Sequence, residues 1–408
     1  MSFLLAIFLS YYIFIPMDGS QFDHLRAYGV VYNSLRAGVK AEWILNYRGG
    51  SFILEDTKIV RELLSITGVS YELMPEEEVV DLKERSKNEN FEFVILENAP
   101  RIAVYAPPYY EPWDDPVIMV LEYAQIPYER IYDEEVLSGR LKDFDWVHLH
   151  HEDFTGQFGK FYATYGNADW YRKQVEFKKS LALKLGFKSV AELERAVAKT
   201  FYNFVNEGKY LFAMCSAPIT LDIALASEGV DILDVPFDGT PFDPDCNSKL
   251  DYSKTMAFKD FKLFPQFYIY EHSDVDMTQE VAQLGEENAY FVLHQFSPKT
   301  DLIPCILTQN HKTVIKDFLG QDTGFRRSKL KKNTVVLADV PGTEYVKYLY
   351  GELGKGFFSF LGGHDPEDFQ HFVGDPPTDV ARYKNSPGYR LILNNILLPS
   401  AQKKRLKT

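Results

Sequence analysis

Three groups of side chains in this 408-residue chain are of types that do chemistry: Cys215 with Ser216; the run His148, His150, His151 and Glu152; and His364 with Asp365, Glu367 and His371. A cysteine attacking an amide needs a deprotonated sulfur, an imidazole to take and return a proton, and N–H donors for the developing oxyanion. Cys215 has the setting for it. In residues 210–226, YLFAMCSAPITLDIALA, an apolar run stops at Cys215, and Ser216 and Pro218 then open a pattern with Ile219, Ile223 and Ala226 on one face. That pattern is a buried strand turning into a helix. Ser216 is placed to cap the helix and to offer an oxyanion donor. The positive end of a helix favours thiolate, so the Cys215 pKa is expected below the free value of about 8.5. The plain alternative is a core cysteine, since cysteine is among the most buried residue types.

The histidines admit a second chemistry. In residues 145–152, DWVHLHHE, Val147 and Leu149 alternate with His148 and His150, which fits a strand whose C-terminal end carries His150, His151 and Glu152. Together with His364 and Glu367 they meet the ligand chemistry of zinc, with His148, His150 and His151 as candidate ligands. His148 and His150 share a strand face, whereas His151 points away unless the strand has ended. The loop 154–159, FTGQFG, puts Gly156 close behind Glu152 as a candidate oxyanion or substrate contact, and a loop of Arg48, Gly49, Gly50 and Ser51 is a candidate anion contact or a structural turn. His364 follows an apolar run at residues 356–362, with Gly362 and Gly363 permitting an unusual backbone there.

These groups need a scaffold of strands alternating with helices. Residues 11–17, 41–47, 69–73 and 91–96 read as strands, with helices at about 21–36, 55–67 and 75–86; such alternation predicts a parallel sheet flanked by helices. A break at Glu97–Pro100 separates this smaller N-terminal α/β domain, residues 11–99, from a second one, residues 100–408. In the second, strands are expected at 101–105, 128–132, 145–152, 210–214 and 230–235, then a β-rich insertion at about 236–332 with short strands near 262–270, 289–296 and 302–309. A hairpin around Pro341-Gly342, the strand 356–362 and a helix at 388–398 close the chain. In open α/β sheets ligands sit at the C-terminal ends of strands, where Cys215, Glu152 and His364 all fall.

Composition is that of a soluble globular protein: 46% apolar, 25% charged and a net charge of -14, which excludes nucleic acid as a partner and leaves a small molecule. Cys215, Cys246 and Cys305 are too few and too scattered for a disulfide framework or a thiolate metal site. The start, MSFLLAIFLSYYIFIPMD, is too short to span a membrane with ease. Residues 1–10 are a candidate signal segment, giving an exported, periplasmic protein, although no Lys or Arg precedes the apolar run.

The small-x-Cys-x-small pattern at Cys215 resembles the nucleophile elbow of class I glutamine amidotransferases, with Ala213 and Ala217 where that family usually has Gly. His364-Asp-Pro-Glu367 resembles that family's late His followed by Pro-Glu, with one residue inserted. The resemblance implies a triad of Cys215, His364 and either Glu367 or Asp365. Residues 345–365 resemble the closing hairpin of trehalose-utilisation-type proteins of the same fold. The whole chain, from PMDGSQFDHLRAYG through NYRGGSF, HHEDFTGQFGKFY and GGHDPEDF to SPGYRLILNN, is similar to a bacterial family commonly labelled asparagine synthetase B. Authentic enzymes of that name expose a cysteine directly after the initiator Met and carry a Ser-Gly-Gly-x-Asp-Ser loop for ATP; here residue 2 is Ser and no such loop occurs. The expectation is an amidotransferase-like hydrolase of a small amide, without a cofactor. A metal-dependent hydrolase and a non-catalytic binding or envelope protein on the same fold are the alternatives.

Overall fold

The structure, a computed structural model, describes residues 10–401, so all but Ser10 of the candidate signal segment and the basic tail at 403–407 lie outside the described residues. Five strands build the first sheet: β1 (Tyr11–Ile15), β2 (Ala41–Leu45), β3 (Ser51–Glu55), β4 (Glu72–Pro75) and β5 (Glu92–Leu96). Their order is β4-β1-β3-β2-β5, and every pairing is antiparallel. The parallel sheet expected for this region is therefore corrected. The cause is local: Asn46, Arg48, Gly49 and Gly50 all have positive φ, which folds the chain back on itself as a hairpin. Residues 51–55, read as the end of a loop and the start of a helix, are the returning strand, and the helix begins only at Lys58.

The second sheet has ten strands. They are β6 (Ile102–Tyr105), β7 (Glu129–Ile131), β8 (Trp146–Leu149), β9 (Tyr210–Met214), β10 (Tyr290–Leu293), β11 (Val314–Lys316), β12 (Phe325–Arg326), β13 (Thr334–Asp339), β14 (Tyr345–Leu353) and β15 (Gly356–Leu361). The order is β11-β10-β13-β14-β15-β9-β8-β6-β7, with β12 paired to β14. Strands β7, β6, β8, β9 and β15 run parallel; the rest of the sheet is antiparallel. The protein is thus mixed α/β. Three expected strands are absent. Residues 230–235 form no strand; the run ends at Asp234, whose side chain caps a short helix starting at Val235. Residues 262–270 keep a single bridge, Leu263 to Ser273. Leu302–Leu307 is a helix: a short buried apolar run reads the same in either form.

Packing follows the two-residue alternation of the strands. Ile13 and Ile15 enter one core, which also takes the helices His24–Arg36 and Pro387–Leu397 and one face of the second sheet through Val104, Trp146 and Phe212. Phe14, Ile44 and Ile53 face the other way, onto the helix Glu76–Ser86. The far face of the second sheet packs on the helices Asp169–Lys184, Val190–Asn206 and Ala217–Ala226. The layers run helix, five-stranded sheet, helices, ten-stranded sheet, helices. Among the described residues no helix is long and apolar enough to cross a membrane.

Candidate active site

Four neighbouring parallel strands, β6, β8, β9 and β15, end on the same edge of the second sheet and feed one site. After β9 the chain turns at Cys215 with φ of 52°, a left-handed conformation that a non-glycine residue adopts at a cost. The Cys215 N–H is used by the Gly363 carbonyl at 3.2 Å, which ties the elbow to the end of β15. Ser216 has helical φ and ψ and makes no side-chain cap; its hydroxyl lies 3.5 Å from the Glu152 carbonyl. The expected capping role is corrected, but its backbone N–H, with those of Gln321 and Asp322, faces the Cys215 sulfur. The expected low thiol pKa is corrected as well: burial pushes the Cys215 thiol up to about 12, against the pull of those amides.

After β15, Gly363 takes φ of +89°, and a Cβ there would stand 2.6 Å from the Phe318 carbonyl oxygen. This glycine delivers His364. One ring nitrogen each from His364 and His150 and the Cys215 sulfur lie within 4.8 Å of one another. His148 Nδ1 sits 3.2 Å from the Phe212 carbonyl, which can only accept, so that nitrogen carries the proton. His148 Nε2 then accepts from His150 Nδ1 at 3.3 Å, and His150 Nε2 accepts from His364 Nδ1 at 3.1 Å. The chain of three imidazoles leaves His364 Nε2 as a lone pair. All three rings are neutral, since burial pushes the pKa of His148 and of His364 down to about 3 and that of His150 well below its ordinary value. The Asp115 carboxylate stands 3.6 Å from His150 Nδ1 and caps the helix Pro116–Tyr123.

Neither carboxylate expected as the third triad member holds His364. Asp365 accepts from the Tyr389 hydroxyl at 2.8 Å and from the Glu367 N–H at 2.9 Å, and the Glu367 carboxyl turns toward Ser386. His150 takes that place. Both carboxylates are taken up by the start of the helix Pro387–Leu397, through Tyr389 and its N-cap Ser386. Of the zinc set, His148 and His150 meet each other and Asp115, but His151 does not join them. His151 turns to Glu111 at 2.8 Å, which raises its pKa to about 9. Glu152 accepts from the His150 N–H at 2.9 Å, and burial lifts its pKa to about 7. Gly156 has φ of +83° and packs on Ala191, so it is a packing position. Arg48 is engaged by Asp18 and Glu72, both at 2.7 Å.

A cavity of about 420 Å³ opens over Cys215 and His364, walled by Trp113, Phe161, Tyr165 and Tyr270. Sequence reading missed the loop after β6, which brings Glu111, Trp113, Asp114 and Asp115. Its signal was present: acidic residues among prolines at the C-terminal end of a parallel strand. His371 sits between two carboxylates, Asp114 and Asp368, each at 2.9 Å, and they raise its pKa to about 9.

No protein-family description and no curated protein matches the sequence. Among solved structures the chain is similar to the cytoplasmic protein STM3548 from Salmonella typhimurium, at 9% identity and a TM-score of 0.35 over 74% of this chain and 100% of that one. It is also similar to the cytoplasmic protein STM1381 from Salmonella typhimurium LT2, at 11% identity and a TM-score of 0.34, again over 74% and 100%. Gan42B, a GH42 beta-galactosidase, matches at 10% identity and a TM-score of 0.28 over 76% of this chain and 31% of its own. Similarity at this level carries no argument about fold or activity.

Proposed function

We propose that the chain is a cysteine-dependent hydrolase of small amides, with its second sheet organised as a class I glutamine amidotransferase-like domain, in keeping with the resemblance to the family labelled asparagine synthetase B. The observation that carries this is the meeting of Cys215, on a strained strand-to-helix elbow, with His364 and His150 below an open cavity that Cys215 and His364 line. At rest the thiol and the imidazole are both neutral. The proton therefore leaves sulfur for His364 Nε2 as the sulfur–carbon bond forms on the amide carbonyl, and the N–H groups of Ser216 and Gln321 are placed for the oxyanion. His364 returns that proton to the departing amine, leaving a thioester. Water, deprotonated by the same imidazole, attacks the thioester, releasing the acid and the thiol. His150 fixes the His364 tautomer and shares the positive charge as it forms.

Competitive labelling with iodoacetamide, read by mass spectrometry, tests this without a known substrate. Cys215 is expected to label ahead of Cys246 and Cys305, because it alone of the three lines the cavity. His364→Ala is expected to slow labelling at Cys215 and leave the other two unchanged. Cys215 proving the slowest of the three would make the elbow a tight turn in a binding protein. The same proposal keeps the chain as an exported protein, on the apolar residues 1–10; intact mass of the protein from its native cell checks that, and retention of those residues in a cytoplasmic fraction would refute it.

A further inference from the structure

We propose that Asp114, His364 and His371 form a binding site for a divalent transition metal of the zinc class, and that a metal bound there takes the base away from Cys215. The second clause rests on the hydrolase proposal; the first does not. One donor atom from each of the three residues lies within 4.8 Å of the others. Asp114 Oδ1 and His371 Nε2 already meet as an ion pair 2.9 Å apart. Asp114 Oδ2 and His364 Nε2 are buried without a hydrogen-bond partner. Buried polar atoms are rarely left in that state, and two of them beside the Asp114–His371 ion pair call for a ligand that accepts lone pairs.

The surrounding contacts have the form of a metal site's outer layer. His371 Nδ1 is 2.9 Å from Asp368 Oδ2, and His364 Nδ1 donates to His150 Nε2 at 3.1 Å. Each partner holds a proton on Nδ1 and turns Nε2 inward; His371, protonated at rest between Asp114 and Asp368, gives up its Nε2 proton to solvent when a metal binds. The two rings lie near-parallel, 26° apart, with centroids 5.2 Å from each other. Two imidazoles and one carboxylate suit zinc, cobalt or iron(II) and disfavour magnesium and calcium, which require mostly oxygen. The fourth position faces the cavity, which His364 and His371 both line. His364 has one free lone pair, so it cannot bind a metal and accept the Cys215 proton at once.

Metal-free full-length protein, stripped with a chelator, is titrated with Co²⁺ and followed by its visible d–d absorption, with Zn²⁺ binding measured by calorimetry. One equivalent is expected to bind, and Asp114→Asn and His371→Ala are each expected to weaken binding by more than about 10-fold. Circular dichroism confirms that both variants are folded; Asp114→Asn keeps the side-chain shape. Cys215→Ser is expected to bind as the wild type does. Saturating Zn²⁺ is expected to slow iodoacetamide labelling of Cys215 in the wild type and to have no effect on labelling in His371→Ala. Absence of stoichiometric binding overturns the site, and so does binding that both variants leave intact. Loss of binding in Cys215→Ser overturns it too, by moving the metal to the sulfur. Selective Cys215 labelling without metal binding removes the site and leaves the hydrolase. Co²⁺ binding that depends on Asp114 and His371, with unselective labelling, removes the hydrolase and leaves the site.

Discussion

At the scale of single residues, Cys215 and His364 face each other within 4.8 Å as neutral groups rather than as an ion pair. The raised thiol pKa has a kinetic signature. Below its pKa a thiol gains about tenfold in thiolate per pH unit, so in metal-free protein the labelling rate of Cys215 is expected to climb without a plateau from about pH 7 to 9. A plateau near pH 7 would mean a thiolate already formed at rest. Asp322, beside this sulfur, is fully buried with both carboxylate oxygens unpartnered, and it faces Asp276, whose pKa is raised to about 7. Carboxyls raised in the folded state bind protons more tightly than in the unfolded chain, so this pair's contribution to stability falls as pH rises from about 4 to 7. Asp322→Asn is expected to raise stability at pH 7 by roughly 1–3 kcal/mol and to flatten that fall. Thermal melts of the two proteins across pH measure the difference, and parallel curves would refute it.

At the scale of elements, the helix His24–Arg36 crosses the end of the helix Pro116–Tyr123 at Gly29. A Cβ on Gly29 would lie 1.8 Å from the Ala124 carbonyl oxygen, and a backbone atom cannot step aside cheaply. In a helix exposed at this point, Gly→Ala would stabilise by about 1 kcal/mol. Here the sign reverses: Gly29→Ala is expected to cost about 1–3 kcal/mol, read as a lowered urea midpoint. An unchanged or raised midpoint would show that the two helices separate easily. The elements themselves were largely legible. The elbow at Cys215, the hairpin at Pro341-Gly342 and the helix at Pro387–Leu397 each carry a local signal of turn chemistry or period. The strand Ser51–Glu55 was lost because its apolar residues follow a turn whose reversal is set by four backbone conformations, not by side-chain periodicity.

At the scale of the molecule, one core runs from the first sheet through the helix Pro387–Leu397 into the second. Arg390 spans it. Fully buried, its guanidinium donates to the carbonyls of Met17 at 3.1 Å and Gly49 at 2.8 Å and to His311 Nδ1 at 3.0 Å. Arg390→Met keeps the apolar stem but strands these acceptors, each worth roughly 1–3 kcal/mol when buried unpaired, and is expected to cost about 3 kcal/mol or more. Urea unfolding, followed by tryptophan fluorescence and circular dichroism, is expected to show coincident transitions for the wild type. Two separated transitions would refute a shared core.

Sequence alone determined the alternation of strands and helices, the elbow at Cys215 and the position of His364 after a late strand, because each depends on residues adjacent in the chain. It also identified the residue types of the site. Only the tertiary structure decided which of them meet. The first sheet is antiparallel because a turn set its direction. His150 replaced Glu367 and Asp365 beside His364, and Asp114 joined His371, because residues from four strand ends converge on one sheet edge. The Cys215 thiol is protonated because burial, which no local pattern records, outweighs the pull of the backbone amides around its sulfur.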